Sequence, residues 1–156
     1  MKKSIKDVFL KELKVHKDQR GMLFEILRSD DKFFNAFGQA YITVCNPGWV
    51  KGWHFHKKQT DYFCVISGKA RVVLYDVREN SPTKNVLSEY ILGDKKPALL
   101  KIPKGIIHGF EAVGKNPVWI LNIPDKIYNR KKPDEFRLNL NSEKISYKPW
   151  IKRKGW

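Results

Sequence analysis

The chain has 156 residues, 42% of them hydrophobic and 13% aromatic, which is enough to fill one core and argues against a disordered chain. Its 31 lysines and arginines against 16 acids give a net charge of +15, which attracts anions of any kind. The basic residues are spread along the whole chain with no nucleic-acid motif among them, and no apolar run is long enough to span a bilayer. The expectation is therefore a lysine-rich surface or an anionic small-molecule substrate, with no nucleic acid and no membrane.

The N-terminal stretch begins with lysines, but Asp7, Lys11, Glu12 and Lys14 interrupt its apolar residues, so it does not read as a secretory signal and a cytoplasmic protein is expected. Short strand-like runs follow, separated by turn signals, the pattern of an all-β sandwich or barrel. Met22–Leu27 reads as a strand, then Gln39–Cys45, closed by Asn46-Pro47-Gly48. Tyr62–Ile66 runs into a turn at Ser67-Gly68-Lys69. Ala70–Val77 alternates most clearly, with Val72, Leu74 and Asp76 on one face. Leu87–Leu92, Ala98–Ile102, Ile107–Ala112 and Val118–Ile123 are further strands, and helix is limited to a turn around Asp30–Phe34 and another near Lys132–Phe136. Cys45 and Cys64 fall inside strands and read as buried free thiols. Phe63, Phe110 and Trp119 read as core. His16 and the basic tail around Lys152–Lys154 read as surface. The division expected is one domain over 1–156, with an N-terminal arm to about residue 20, a barrel to about residue 125 and a C-terminal arm beyond.

Two motifs carry the chemistry. Gly48, His54, His56, Asp61 and Gly68 give G-x5-H-x-H-x4-D-x6-G, and Pro103, Gly105 and His108 give P-x-G-x2-H. Residues i and i+2 of a strand share a face, so His54 and His56 project to the same side. Three of the four histidines lie in these two motifs. In this order and spacing the pair resembles the two cupin motifs, with Asp61 where glutamate is usual and Pro97 where the second motif commonly opens on glycine. The resemblance implies a double-stranded β-helix, or jelly roll, with short terminal arms.

A second set of matches is similar to the dTDP-4-dehydrorhamnose 3,5-epimerase family. Asp18-Gln-Arg20-Gly21-Met-Leu23-Phe24-Glu25 resembles its D-x-R-G-x-F-x-E, and Lys51-Gly52-Trp53-His54 its R-G-L-H. Asp76-Val-Arg78-Glu-Asn-Ser81-Pro82-Thr83 matches D-x-R-x-x-S-P-T, and Ile102–Phe110 resembles I-P-x-G-F-A-H-G-F. The resemblance implies an epimerase or isomerase of a nucleotide-linked 4-keto-6-deoxy sugar in surface-polysaccharide synthesis, without a required cofactor and as a homodimer. A histidine base removes the proton beside the ketone. His54 matches that base, with His108 and Asp61 beside it. Arg20, Glu25, Gln39, Lys51 and His56 are the expected contacts to the nucleotide-diphosphate sugar. Arg20 and Glu25 fit a structural ion pair equally well.

Three positions depart from the family. Its lysine at the enolate oxygen is Asp61 here, its tyrosine falls near Leu121, and its C-terminal carboxylate falls at Asn141 or Ser142. The extra histidine, His56, makes a His54, His56, Asp61, His108 set, which alternatively suits a divalent metal ion in a metal-dependent cupin. A binding protein without turnover is the remaining alternative. Trp53, beside the base, reads either as core or as a platform for a sugar or base.

Overall fold

The computed structural model describes residues 4–145 and 147–155. Among these residues twelve strands are arranged in two facing five-stranded sheets and one separate hairpin. The first sheet is built from β1 (Phe9–Glu12), β9 (Ala98–Ile102), β6 (Asp61–Ser67), β11 (Val118–Asn122) and β4 (Tyr41–Cys45), in that order. The second runs β12 (Phe136–Arg137), β5 (Val50–Phe55), β10 (Ile106–Ala112), β7 (Lys69–Asp76) and β8 (Leu87–Gly93). The hairpin pairs β2 (Val15–Asp18) with β3 (Gly21–Phe24). All pairings between these strands are antiparallel, giving the cupin jelly roll that the motifs implied.

Strand alternation explains the core. Phe63, Val65, Leu100, Ile102, Val118 and Ile120 of the first sheet meet Val72, Leu74, Ile106 and Phe110 of the second. Both outer faces are also partly covered. Trp53, Val73 and Ile107 on the outside of the second sheet lie under Leu140, Ile145, Tyr147 and Trp150 of the C-terminal segment. Tyr62, Cys64 and Leu99 on the outside of the first sheet lie under Leu13, with Phe24, Ile26, Leu27 and Phe33 packed against them. Central strands buried on both faces read as nearly continuous apolar runs, as Tyr62–Val65 does.

Several expectations are corrected. The strand expected over Met22–Leu27 ends at Phe24, and its partner β2 lies inside the expected arm. Residues 28–34 form consecutive hydrogen-bonded turns rather than a helical turn, with Asp31 N donating to Arg28 O and Phe34 N to Asp31 O. The turn expected at Lys132–Phe136 instead ends in β12, because Phe136 and Arg137 pair with Phe55 and His54 of β5. Trp119 is 44% exposed: it alternates with the core residues Val118 and Ile120 and so faces outward. Trp53 is fully buried against Tyr147 and Trp150, so it serves as core and not as a platform. The two thiols are free and buried, and Phe63 and Phe110 are core, as expected.

Candidate active site

His54, His56, Asp61 and His108 come together as one polar cluster, His54 half-buried and the other three buried. Antiparallel pairing sets His108 of β10 directly opposite His54 of β5, and their rings lie 4.0 Å apart between centroids. Two glycines make this close approach possible: a Cβ on Gly52 would sit 2.9 Å from the Gly109 Cα where the strands cross. His56 follows the end of β5, and its carbonyl accepts the Gly105 N–H at 2.7 Å, which ties the first motif to the turn of the second. Gly105 has φ +78, and an added Cβ would meet the Arg78 side chain at 2.8 Å, so this turn excludes other residues.

Asp61 enters from the first sheet. Its Oδ2 lies 3.2 Å from His56 Nε2 and 3.3 Å from His108 Nε2. Its Oδ1 accepts from Gln59 Nε2 at 2.8 Å and from Asn122 Nδ2 at 2.9 Å. The opposite nitrogen of each imidazole is occupied. His108 Nδ1 donates to the Ile106 carbonyl at 2.9 Å, and His56 Nδ1 donates to the Asp134 carbonyl. Both Nε2 atoms therefore converge on one carboxylate oxygen.

Burial and charge set the protonation states. Burial and the neighbouring His108 hold His54 well below its ordinary value, so its imidazole is neutral. Burial disfavours the cationic form of His56 too, but the hydrogen bond and charge of Asp61 overcome it and raise His56 to about 9. Burial acts to raise Asp61, and its contacts to His108 and His56 override that and hold it well below the carboxylate range. The cluster thus carries a neutral imidazole beside a cationic imidazole with its counter-ion.

Sequence reasoning missed Tyr41, Gln59 and Asn122. Asn122 pairs with Tyr41 across β11 and β4 and donates to the Tyr41 hydroxyl at 2.9 Å. Burial, with the negative charge of Asp61, raises the Tyr41 phenol to about 12. The one available signal was a buried asparagine inside an otherwise apolar strand.

The other expected contacts are dispersed. Arg20 sits at the hairpin turn with its side chain 85% exposed, paired to Asp18 at 2.7 Å. Glu25 pairs with Arg28 at 2.9 Å, so Arg20 and Glu25 do not form an ion pair with each other. Lys51 donates to Thr43 Oγ1 at 2.9 Å, and the Gln39 side-chain oxygen accepts the Tyr128 N–H at 3.2 Å. Leu121 is half-buried on β11, and Asn141 and Ser142 lie in a surface loop beyond β12. Next to the cluster is a cavity of about 370 Å³, lined by Lys57, Lys58, Lys126, Lys132, Tyr128 and Phe136 among others. Asp134 joins the cavity to the cluster. Its carboxylate accepts the N–H groups of Lys57, Lys58 and Gln59, while its carbonyl holds His56.

The pattern of the polysaccharide biosynthesis C-terminal domain family matches residues 16–136. The chain is 40% identical to the spore coat polysaccharide biosynthesis protein SpsL of Bacillus subtilis, over 92% of this chain and 95% of that protein. Its fold is similar to a dTDP sugar isomerase of Desulfovibrio desulfuricans, with TM-score 0.85, 32% identity, and 92% and 90% of the two chains covered. It is also similar to a dTDP-4-dehydrorhamnose 3,5-epimerase of Elizabethkingia anophelis, with TM-score 0.80, 26% identity, and 94% and 83% covered.

Proposed function

From the premise that the chain belongs to the polysaccharide biosynthesis C-terminal domain family, as a cupin of the dTDP-4-dehydrorhamnose 3,5-epimerase type, we propose that it epimerises or isomerises a nucleotide-linked 4-keto-6-deoxy sugar in polysaccharide synthesis. The observation that carries this reading is the His54 imidazole set opposite His108, with ring centroids 4.0 Å apart, beside the His56–Asp61 pair. Abstraction of a proton next to a ketone needs an unprotonated base and a cation or donor near the developing enolate oxygen. His54 supplies the base and His56 the positive charge. Asp61 and His108 hold the cluster, since one carboxylate orients two imidazoles whose far nitrogens are fixed by backbone carbonyls.

The lysine-lined cavity supports a substrate with a nucleotide diphosphate. Lys57, Lys58, Lys126 and Lys132 have no ion-pair partner among the described residues, whereas Lys11, Arg20, Arg28, Arg78, Lys84 and Lys96 each have one. Four ammonium groups beside the reacting cluster suit a diphosphate and the Tyr128 ring suits a base, while Phe136 is stacked on Phe55 with the Lys57 ammonium over its ring. A homodimer fits the surface. Among the described residues the β2–β3 hairpin pairs with no other strand; it exposes Met22 and Leu23, and Ile42 and Trp119 are exposed on the first sheet. No helix among the described residues is long and apolar enough to cross a membrane, which suits a cytoplasmic enzyme.

A second reading has its own observation. The Nε2 atoms of His56 and His108 and Oδ2 of Asp61 face one another, and one ligand atom from each of these residues and His54 lies within 4.8 Å of the rest. This nitrogen and oxygen set fits a divalent transition-metal ion, which would polarise the ketone oxygen as a Lewis acid. The deciding experiment is solvent deuterium uptake into a dTDP-4-keto-6-deoxy sugar, run before and after dialysis against chelator with metal analysis. Uptake at C3 or C5 that is abolished in His54→Gln supports the epimerase. Binding without uptake makes the protein a non-catalytic relative. Stoichiometric metal whose removal stops uptake establishes the second reading.

A further inference from the structure

We infer that Tyr41 is the acid that returns a proton to the sugar carbon on the face opposite His54. The inference rests on the epimerase reading and supplies what that reading lacks. The position where the family carries its tyrosine falls at Leu121 or a neighbour within Val118–Asn122, a strand with no phenol.

Hydrogen-bond accounting at Asn122 carries the argument. The Asn122 Oδ1 accepts the Tyr62 backbone N–H at 3.1 Å, which fixes the orientation of the amide. Its two Nδ2 hydrogens are then divided between Asp61 Oδ1 at 2.9 Å and the Tyr41 hydroxyl at 2.9 Å. Because an amide N–H can only donate, the Tyr41 oxygen accepts this bond and its own hydrogen is left over. Among the described residues no protein acceptor takes that hydrogen. Tyr41 is 43% exposed, so the hydrogen belongs to whatever occupies the site.

Among the described residues no other phenol shares the Asn122 contact that ties Tyr41 to Asp61; Tyr128 lines the lysine cavity instead. Tyr62 is turned to the outer face, where its hydroxyl donates to the Phe33 carbonyl at 3.1 Å, and the Tyr75 hydroxyl bonds Asn85 at 3.1 Å. Position on the barrel also favours Tyr41. It stands on β4 of the first sheet and His54 on β5 of the second, so the phenol and the base come from different sheets. Inversion needs an acid apart from the base, because proton removal and return must occur on opposite faces.

The step balances. His54 takes the proton beside the ketone, and the C–H electron pair becomes the carbon–carbon double bond of an enolate. As the carbonyl re-forms, the carbon takes the hydrogen of Tyr41 from the other face, and the O–H pair stays on the phenolate. Solvent water reprotonates the phenolate and accepts the proton from His54, so the enzyme ends as it began.

Tyr41→Phe, followed by proton NMR of a dTDP-4-keto-6-deoxy sugar in deuterium oxide, separates the roles. The expected result is deuterium entering the starting epimer with retained configuration while inverted product falls at least tenfold, because His54 still removes and returns a proton from its own side. Wild-type rates of inversion in Tyr41→Phe would overturn the inference. So would a parallel loss of exchange and inversion in a variant whose thermal midpoint is unchanged, since that marks a positioning role. If the wild-type protein shows neither exchange nor inversion, the epimerase reading falls and this inference falls with it.

Discussion

Replacing Asp76 by asparagine tests whether the D-x-R-x-x-S-P-T segment is structural support for the site. Asp76 is fully buried and collects five side-chain and backbone donors with its carboxylate. Arg78 N and Nε reach Oδ1 at 3.0 and 2.9 Å, and Arg78 Nη2, Ser81 Oγ and Thr83 Oγ1 reach Oδ2 at 2.9, 2.6 and 2.7 Å. Arg78 also binds the Lys6 carbonyl and Asp7, and its side chain packs where Gly105 turns toward His108. An asparagine keeps one acceptor and sets an NH2 against two or three donors, leaving a partly buried guanidinium short of its counter-charge. Breaking one side of such a pair costs about 3–5 kcal/mol. Burial raises the Asp76 carboxyl, but the bonds from Arg78, Ser81 and Thr83 outweigh it and hold the carboxyl well below its ordinary 3.8. A depressed folded value means that this stabilisation is complete above pH 3.8 and is lost as pH falls through the folded value. Urea unfolding at pH 7 should show the full loss for Asp76→Asn, and the gap to wild type should narrow steadily below pH 3.8. A cost under about 0.5 kcal/mol at pH 7, the level of an ordinary surface change, would refute the reasoning, as would a gap that does not depend on pH.

Three other perturbations probe the site and its supports. His54→Gln should lower deuterium exchange roughly 10²–10⁴-fold, the range for a positioned general base, with circular dichroism unchanged. Because the folded pKa of His54 is depressed, the acid limb of kcat/KM in the wild type should lie below pH 6.5, and a limb above 6.5 would assign the base elsewhere. Lys126→Ala with Lys132→Ala should weaken dTDP binding by about tenfold or more, equivalent to at least 1.4 kcal/mol, and flatten its salt dependence in calorimetry. Trp150 is fully buried with its ring 4.5 Å from Trp53, and Trp150→Ala should cost about 3–5 kcal/mol in denaturant unfolding.

The parts of the fold that could be read in the sequence are those fixed by short-range rules. The i, i+2 spacing of His54 and His56 and the glycine turn before His108 place three histidines without knowledge of any partner strand. The elements that were missed depend on distant partners. Val15–Asp18 carries three polar residues in four and gives no apolar period, yet it is a strand because β3 folds back on it. Phe136 and Arg137 are extended because β5 offers them an edge. Trp119 looked like core by residue type, and its place in the alternation of β11 decided otherwise. Gln59, Tyr41 and Asn122 join the site through bonds that span two sheets, and no spacing along the chain encodes such bonds.

The loss of the family's lysine to Asp61 is offset in three dimensions by the histidine gained at position 56. Against the family pattern, Asp61 stands where a lysine would place a positive charge at the enolate oxygen, which taken alone reverses the sign of the local field. The histidine gained at position 56 lies 3.2 Å from that carboxylate and is drawn to about 9 by it, so the positive charge returns on the neighbouring wall. Asp61 is also spared the cost of an unpaired buried charge, because Gln59 and Asn122 saturate its other oxygen. The acid therefore serves as the support of a displaced cation, and His54, next to that cation, stays neutral because burial and His108 oppose its protonation. Under the proposed epimerase reading the pair keeps an unprotonated base beside a positive charge, the field that proton abstraction next to a ketone requires.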